Sequence, residues 1–360
     1  MIITAMPSLL DIAAQFEASA QIVGISPLGE GLINDTYLVT TSTGGFVLQR
    51  INPVVFPEPQ LVIRNMAVLN RHIAETEQNT LKLQIPNIIQ TQSGEDCVSD
   101  QTGDIWRAIT YIPNTISLET LENQEQARQT GFALGHFHRL LNSLDPEDLY
   151  DTLPGFHIAP EYLSRFHQVL SQTTTPHDAN DSRFCLDFID QYEALTILLE
   201  KAKQQGVLKL QAIHGDPKFN NFLFDKDTRE IASLIDLDTV KPGLLHYDIG
   251  DCVRSLCQSP IGQFNLEICD ALLTGYLEET RSFLTEDDYA YLYPAIQLIP
   301  FELGLRFFTD FLEGNRYFKV TTQDQNRSRA ITQFQLCESI SKQESAIKRL
   351  IERLYRQFPA

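Results

Sequence analysis

Between Ile213 and Phe224 the chain reads His214-Gly215-Asp216-Pro217-Lys218-Phe219-Asn220-Asn221, and a second apolar run, Leu234-Ile235, delivers Asp236. These residue types suit phosphoryl transfer. Moving a phosphoryl group from ATP to a hydroxyl needs a carboxylate to orient the hydroxyl and take its proton. It also needs oxygen ligands that hold Mg2+ against the triphosphate. The spacing makes Asp216 the expected base, with Asn221 and Asp236 the expected metal ligands. Lys218, just past the base, is placed to meet the migrating phosphoryl charge, and His214 reads as a hydrogen-bonding brace for the loop. Any one of these fragments alone is ordinary turn chemistry. Their joint spacing, with each beside a short apolar strand, points to a site.

A second segment supports the same chemistry. Leu28-Gly29-Glu30-Gly31-Leu32-Ile33-Asn34-Asp35-Thr36-Tyr37 lies between two strand candidates, where glycines let backbone amides approach phosphate oxygens closely. Gly29, Gly31 and Asn34 are its nucleotide-binding candidates. The next strand candidate, Phe46-Val47-Leu48-Gln49-Arg50-Ile51, sets a cation in an apolar run, and Arg50 is expected to contact the α- and β-phosphates. Glycine loop, cation, connector, base and metal carboxylate follow one another as in kinases.

These residues need a scaffold, and the pattern supplies one in two parts. Residues 1–112 are β-rich. Strand candidates are Gln21–Ser26, Asp35–Thr41, Phe46–Asn52, Ile88–Gln90, Cys97–Ser99 and Trp106–Tyr111, with turn signals at Gly44-Gly45 and Ser93–Asp96. Helices are expected at Ser8–Ser19 and from Pro59 to about Glu77. Residues 113–360 read as mostly helical: Asn123–Leu144, Pro160–Gln172, Phe184–Gln205, Asn265–Phe283, Thr285–Glu313 and Asn326–Arg356. A short β island at 212–236 carries the polar clusters. The expected architecture is α+β and bilobal, protein-kinase-like, with a small β-rich lobe and a large helical one. The cleft between them would hold the ligand.

Composition narrows the partners. The 360 residues carry 28 basic and 47 acidic side chains, a net charge of −19. That excludes nucleic-acid binding through a broad basic surface, and an anionic membrane partner. No apolar run is long enough to span a bilayer, and the first ten residues lack a basic, signal-like start. The six cysteines are scattered without a metal-like spacing and read as small buried thiols in a reducing, cytoplasmic setting.

The same motifs carry a family likeness. Gly29–Tyr37 (GEGLINDTY), Val47–Phe56 (VLQRINPVVF), His214–Phe224, Ile235–Gly243 (IDLDTVKPG), His246–Asp251 (HYDIGD) and Glu302–Phe318 (ELGLRFFTDFLEGNRYF) resemble the aminoglycoside phosphotransferase and choline kinase branch of the protein-kinase-like superfamily. Within it they are most similar to the N-acetylhexosamine 1-kinase group. The resemblance implies ATP- and Mg2+-dependent phosphorylation of a small molecule, here the anomeric hydroxyl of N-acetylglucosamine or N-acetylgalactosamine. It implies Asp216 as base, Asn221 and Asp236 as metal ligands, and Tyr111 and Ile112 as the hinge meeting adenine. Asp248 would brace the catalytic loop, and Arg306 and Tyr317 would face the sugar. Three departures stand out. Leu32 occupies a position where the sugar kinases commonly carry a His. Asn65 stands near where a helix Glu would pair the strand cation. Arg50 replaces a Lys, as in choline kinases. Other acceptors in the same class are another sugar, an aminoglycoside or a choline-type amino alcohol. A non-catalytic nucleotide-binding protein would need a broken base or metal ligand, and all three residues are present.

Overall fold

Alternating β-branched and aromatic residues with polar turns fold as antiparallel strands, while 3.6-residue apolar periodicity folds as helices docked on a common core. The computed structural model describes residues 8–16, 21–29, 33–76, 83–172 and 180–358. Its first helix, α1 (Leu9–Ala13), is capped by Ser8 and is shorter than the sequence pattern suggested. Strands β1 (Ile22–Pro27), β2 (Asp35–Thr41) and β3 (Gly44–Arg50) follow, then α2 (Pro59–Thr76), β4 (Ile88–Ile89), β5 (Val98–Ser99) and β6 (Ile105–Thr110). They form one six-stranded antiparallel sheet in the order β1-β2-β3-β6-β4, with β5 also on β6. Gly44-Gly45 is not the turn. Ser42-Thr43 makes it, and both glycines pair within the β2–β3 ladder.

The two faces of this sheet differ. Val39, Phe46, Leu48, Trp106 and Ala108 form a small core with Ile12, Ala13 and Phe16 on one face. The residues of opposite parity, Val47, Gln49 and Arg107, point to the α2 side, where the Arg107 guanidinium meets the Met66 sulfur at 3.7 Å.

Beyond Tyr111 and Ile112 comes β7 (Thr115–Ser117), then α3 (Gln124–Leu141), α4 (Ala159–Gln172), α5 (Asn180–Tyr192) and α6 (Leu198–Gln204). The single helix expected over 184–205 is broken by a 3-10 turn at Glu193–Ile197, where the Thr196 hydroxyl donates to the Glu193 carbonyl at 2.7 Å. Strands β8 (Gln211–Ile213), β9 (Phe222–Asp225), β10 (Ile231–Leu234) and β11 (Lys241–Gly243) make two small sheets, β10-β9-β7 and β11-β8. Five more helices complete the body: α7 (Leu245–Leu256), α8 (Leu266–Thr280), α9 (Glu286–Leu312), α10 (Gln325–Lys342) and α11 (Glu344–Gln357). The last two replace one expected helix. Gln343 interrupts it, its side chain donating to the Phe264 carbonyl at 3.1 Å.

Most helices share one continuous apolar core. All six cysteines are free thiols, five of them buried. No helix among the described residues is long and apolar enough to cross a membrane. Helices α3 and α8 cross backbone to backbone. A Cβ at Gly131 would fall 1.9 Å from the Leu272 carbonyl oxygen, and one at Gly275 would fall 2.0 Å from that of Arg128. Gly275→Ala therefore forces the helices apart and should cost about 1–3 kcal/mol in urea unfolding. The loop after β8 is sensitive to that shift, because α3 carries His138, which holds the buried Asp248 carboxylate behind it.

Candidate active site

Asp216 stands on a loop after β8 that is fixed from behind. Asp248 of α7 is fully buried and accepts the backbone N–H groups of His214 at 2.7 Å and Gly215 at 2.8 Å. His138 donates to it through Nε2 at 2.9 Å, with the Tyr276 hydroxyl on His138 Nδ1 at 2.9 Å. Burial would raise the Asp248 carboxyl, but the His138 hydrogen bond and charges nearby outweigh it and hold the group below the usual range. Gly215 has φ +89, and any Cβ there would lie 2.5 Å from the Thr239 carbonyl oxygen, so only glycine fits. The His214 ring accepts the Asp216 N–H at Nδ1 (3.3 Å) and donates from Nε2 to the Ile235 carbonyl (2.9 Å). That pattern requires the neutral ring, and burial lowers its pKa accordingly.

The charged groups gather around Lys218. Its ammonium is 2.6 Å from Asp216 Oδ2. Burial alone would lower the Lys218 pKa, but Asp216 and then Asp236 raise it above the ordinary value. Asn221 donates to the Asp216 carbonyl at 2.8 Å through Nδ2. Asp236, in the left-handed region at φ 68, is exposed and makes no hydrogen bond or ion pair among the described residues. One amide oxygen and one open carboxylate fit a hard divalent cation that takes its remaining ligands from phosphate and water. Asp236 opens to solvent but is ringed by protein, and that desolvation, with the Asp238 carboxylate alongside, pushes it up to about 6. A proton there would compete with any divalent cation that Asp236 holds, so Mg2+ affinity that depends on Asp236 should fall as pH drops below about 6. Calorimetric titration of Mg2+ with a non-hydrolysable ATP analogue across that range checks the sign.

The sheet's cation is not the one expected. Arg50 shares the parity of Phe46 and Leu48 and lies on the face that packs against α1. There it pairs with Asp35 at 2.5 Å and Asp104 at 2.8 Å, and these two hydrogen-bonded carboxylates raise its pKa. Its side chain is 39% exposed. The inward cation is Arg107 of β6, 2% exposed. Its guanidinium holds Asp238, and Gln49 Oε1 accepts from it at 2.8 and 3.1 Å. The Arg50–Asp35 pair, with side chains 39% and 48% exposed, contributes about 0–1 kcal/mol and lies on the face away from α2, so Arg50→Gln should leave the KM for ATP within about twofold in steady-state assays.

Asn34 also differs from expectation. Its amide donates to Asp238 Oδ2 at 2.5 Å and accepts the Asn52 N–H at 3.0 Å, so its side chain ties the glycine segment to the Asp238 loop. Gly29 adopts φ +69, whereas Gly31 and Leu32 lie outside the described residues. Asn65 does not pair a strand cation. It bonds the Tyr150 carbonyl at 2.8 Å and the Val240 carbonyl at 2.9 Å. Tyr111 and Ile112 run on directly from β6, with the Ile112 carbonyl accepting the Thr115 hydroxyl at 2.8 Å.

The acceptor-side candidate is Arg306. It projects from α9 into a cage of rings: Tyr162 at 5.0 Å, Phe156 at 5.2 Å, Phe318 at 5.6 Å and Tyr317 at 6.0 Å from the guanidinium. Tyr317 is 64% exposed, and its loop is held by Asp310, which accepts the N–H groups of Arg316, Tyr317 and Phe318 at 2.8, 2.8 and 3.0 Å. Arg306 makes no hydrogen bond or ion pair among the described residues; burial lowers its pKa, but Tyr162, then Glu302, Tyr317 and Asp216, raise it above the ordinary value. Phe156, Tyr162 and Arg107 carry no motif. A charged residue in the middle of the apolar strand Ile105–Thr110 was the one available signal for Arg107.

A twisted antiparallel sheet set against a helical body, with a His-x-Asp loop followed by a carboxylate-bearing hairpin, defines the protein-kinase-like class of fold. Residues 24–283 match the model of the phosphotransferase enzyme family APH, and the chain belongs to that family. A homoserine kinase from Zymomonas mobilis is 24% identical over 296 residues, 79% of each chain. Among solved structures, an amicoumacin kinase in complex with AMP-PNP, Ca2+ and Ami superposes with a TM-score of 0.61 at 15% identity, covering 92% of this chain and 91% of the other. An aminoglycoside phosphotransferase from Alicyclobacillus acidocaldarius gives a TM-score of 0.60 at 16% identity, covering 97% and 98%.

Proposed function

We propose that this protein is an ATP- and Mg2+-dependent small-molecule kinase that phosphorylates the anomeric hydroxyl of an N-acetylhexosamine. The acceptor oxygen bonds to the γ-phosphorus, the bond from that phosphorus to the β,γ-bridging oxygen breaks, ADP leaves, and the hydroxyl proton passes to Asp216. Asn221 and Asp236 would hold the Mg2+, which when bound neutralises phosphate charge. Lys218 meets the transferring group. Residues 1–112, with Gly29, Gly31 and the Tyr111–Ile112 hinge, would take the nucleotide, and residues 113–360 the acceptor. A structural relative described in complex with AMP-PNP and Ca2+ supports the reading of a nucleotide and a divalent cation.

The observation that carries the acceptor reading is the Arg306 cage. A guanidinium with no hydrogen bond or ion pair among the described residues offers five N–H donors, and the four rings around it offer flat apolar faces. An acetamido sugar matches both, its carbonyl and hydroxyl oxygens accepting hydrogen bonds and its pyranose face stacking on rings. A cationic acceptor such as choline or an aminoglycoside would meet Arg306 as a like charge. A second reading has support as well. A hydroxy amino acid presents a carboxylate to Arg306, and the curated relative is named homoserine kinase.

The test is acceptor-dependent ADP release with ATP and Mg2+ over a panel of N-acetylglucosamine, N-acetylgalactosamine, unacetylated hexoses, homoserine, choline and an aminoglycoside. The proposal expects the two N-acetylhexosamines to give the highest kcat/KM. Turnover with homoserine alone would establish the second reading instead, and turnover with choline alone would overturn both.

A further inference from the structure

The segment Tyr150–His157, between α3 and α4, matches no motif, yet it touches several parts of the site. The Tyr150 carbonyl accepts from the Asn65 side-chain amide of α2 at 2.8 Å, and the Tyr150 N–H donates to Asn65 Oδ1 at 2.9 Å. Thr152 donates to the Asp238 carbonyl at 3.3 Å. The buried Lys241 ammonium gathers Asp151 at 2.8 Å and the carbonyls of Leu153 and Phe156 at 3.2 and 3.3 Å. At its end His157, buried and at φ 66, stands directly behind the catalytic loop.

The His157 ring makes two hydrogen bonds, Nε2 to the Gly215 carbonyl at 2.8 Å and Nδ1 to Glu302 Oε1 at 3.0 Å. A carbonyl oxygen only accepts, so Nε2 carries a proton. An ionised carboxylate only accepts, so Nδ1 carries one as well. We propose that His157 is a positioning residue, held as an imidazolium by Glu302, and that this buried ion pair fixes the Gly215 carbonyl and hence the backbone from which Asp216 projects. The inference rests on the phosphotransferase reading for the role of Asp216. The peptide unit joining Gly215 to Asp216 is then gripped at both edges by histidines in opposite states. His157 donates to its carbonyl with both ring nitrogens protonated, and neutral His214 accepts its N–H.

On balance the groups facing His157 favour the charged form. Glu302 lies on α9, buried and with its Oε2 unpartnered among the described residues, while Arg306, one turn further along α9, is a like charge and does not favour that form. Asp251 and Tyr247 come from α7, the Tyr247 ring stacked on the imidazole at 5.3 Å and 14°. Tyr162 of α4 accepts the His157 N–H at 3.3 Å. Burial opposes the charge, but Glu302, with Asp251 behind it, outweighs burial and raises the pKa. The nearest alternative is a neutral pair with the proton on Glu302. It leaves the same heavy atoms in place and no charge on the ring.

Three measurements on the full chain separate these. In protein labelled with 15N-histidine, the His157 signals, identified by their loss in His157→Gln, should both lie at protonated shifts at neutral pH. Glu302→Gln should move that titration to lower pH. Unlike shifts for the two nitrogens of the wild-type ring at neutral pH would overturn the ion pair. Backbone hydrogen exchange over residues 213–217 needs no substrate and should speed up about tenfold in Glu302→Gln; unchanged exchange would overturn the positioning role. With an accepted acceptor, kcat of Glu302→Gln should fall progressively as pH rises, reaching ~10²-fold below wild type while the KM for ATP stays within about twofold. A pH profile parallel to wild type contradicts the proposal. If no acceptor is phosphorylated, the functional reading fails while the first two measurements still decide this one.

Discussion

Asp216→Asn should lower kcat by about 10³-fold and leave ATP affinity within about twofold. The amide cannot accept the hydroxyl proton, so the transition state loses its base while the ground state keeps its contacts. The change is nearly isosteric, and Asn221 bonds the residue-216 backbone carbonyl, not its carboxylate, so the loop should keep its shape. What is lost besides the base is the 2.6 Å pair with Lys218. At 27–32% exposure that pair is partly solvated and contributes modestly to stability, so the thermal midpoint should move little. A single-turnover assay at saturating ATP and acceptor, beside a melting curve, distinguishes a lost base from a lost fold. Wild-type turnover in Asp216→Asn would remove Asp216 from the chemistry.

Asp248→Asn should destabilise the protein by about 3–5 kcal/mol and abolish most activity, although residue 248 touches no reacting atom. Asp248 receives three donors on two oxygens: the backbone N–H groups of His214 and Gly215, and His138 Nε2. Asparagine offers one oxygen and turns an NH2 group toward donors, leaving at least one buried N–H unpaired in a site without solvent. The pH dependence has a definite sign. The folded-state carboxyl is held below its unfolded value of about 4, so its ionised form stabilises the fold above that pH. The contribution is lost as pH falls through the lower folded value. Urea unfolding between neutral and acid pH should therefore show a steeper acid loss in wild type than in Asp248→Asn. Equal slopes would mean that the carboxylate is not what holds the loop.

The grouping of the candidate site residues was legible because it is local. His214, Asp216, Lys218, Asn221 and Asp236 sit on one strand–loop–hairpin unit, and spacing along the chain translates into proximity there. Strand β2 was legible for a similar reason, its β-branched and aromatic residues being clustered over Asp35–Thr41. Arg50 was misread because spacing does not say which face of a sheet meets the cleft. A strand repeats every two residues, so Gln49 and Arg50 point to opposite faces, and only docking of α1 on the Phe46–Leu48 side decides between them. Arg107, Asp238 and Asn34 form a network over residues separated by 131 and 204 positions, which no local pattern records. His157 is hidden for the same reason. Its meaning depends on Glu302, 145 positions away, and on a loop 58 away. Helix α7 escaped notice because its motif residues Asp248 and Asp251 are polar yet buried, which blurs the apolar periodicity by which a helix is recognised.

The claim that joins these observations is that Asp216 activates the anomeric hydroxyl of an N-acetylhexosamine for attack on ATP. The most direct test is 31P and 1H NMR of the product formed from ATP, Mg2+ and N-acetylglucosamine. The account predicts a sugar phosphate whose phosphorus couples to the anomeric proton, formed in step with ADP and absent with Asp216→Asn. A phosphorus coupled to the C6 protons, or ADP formed with no phosphosugar, would contradict it.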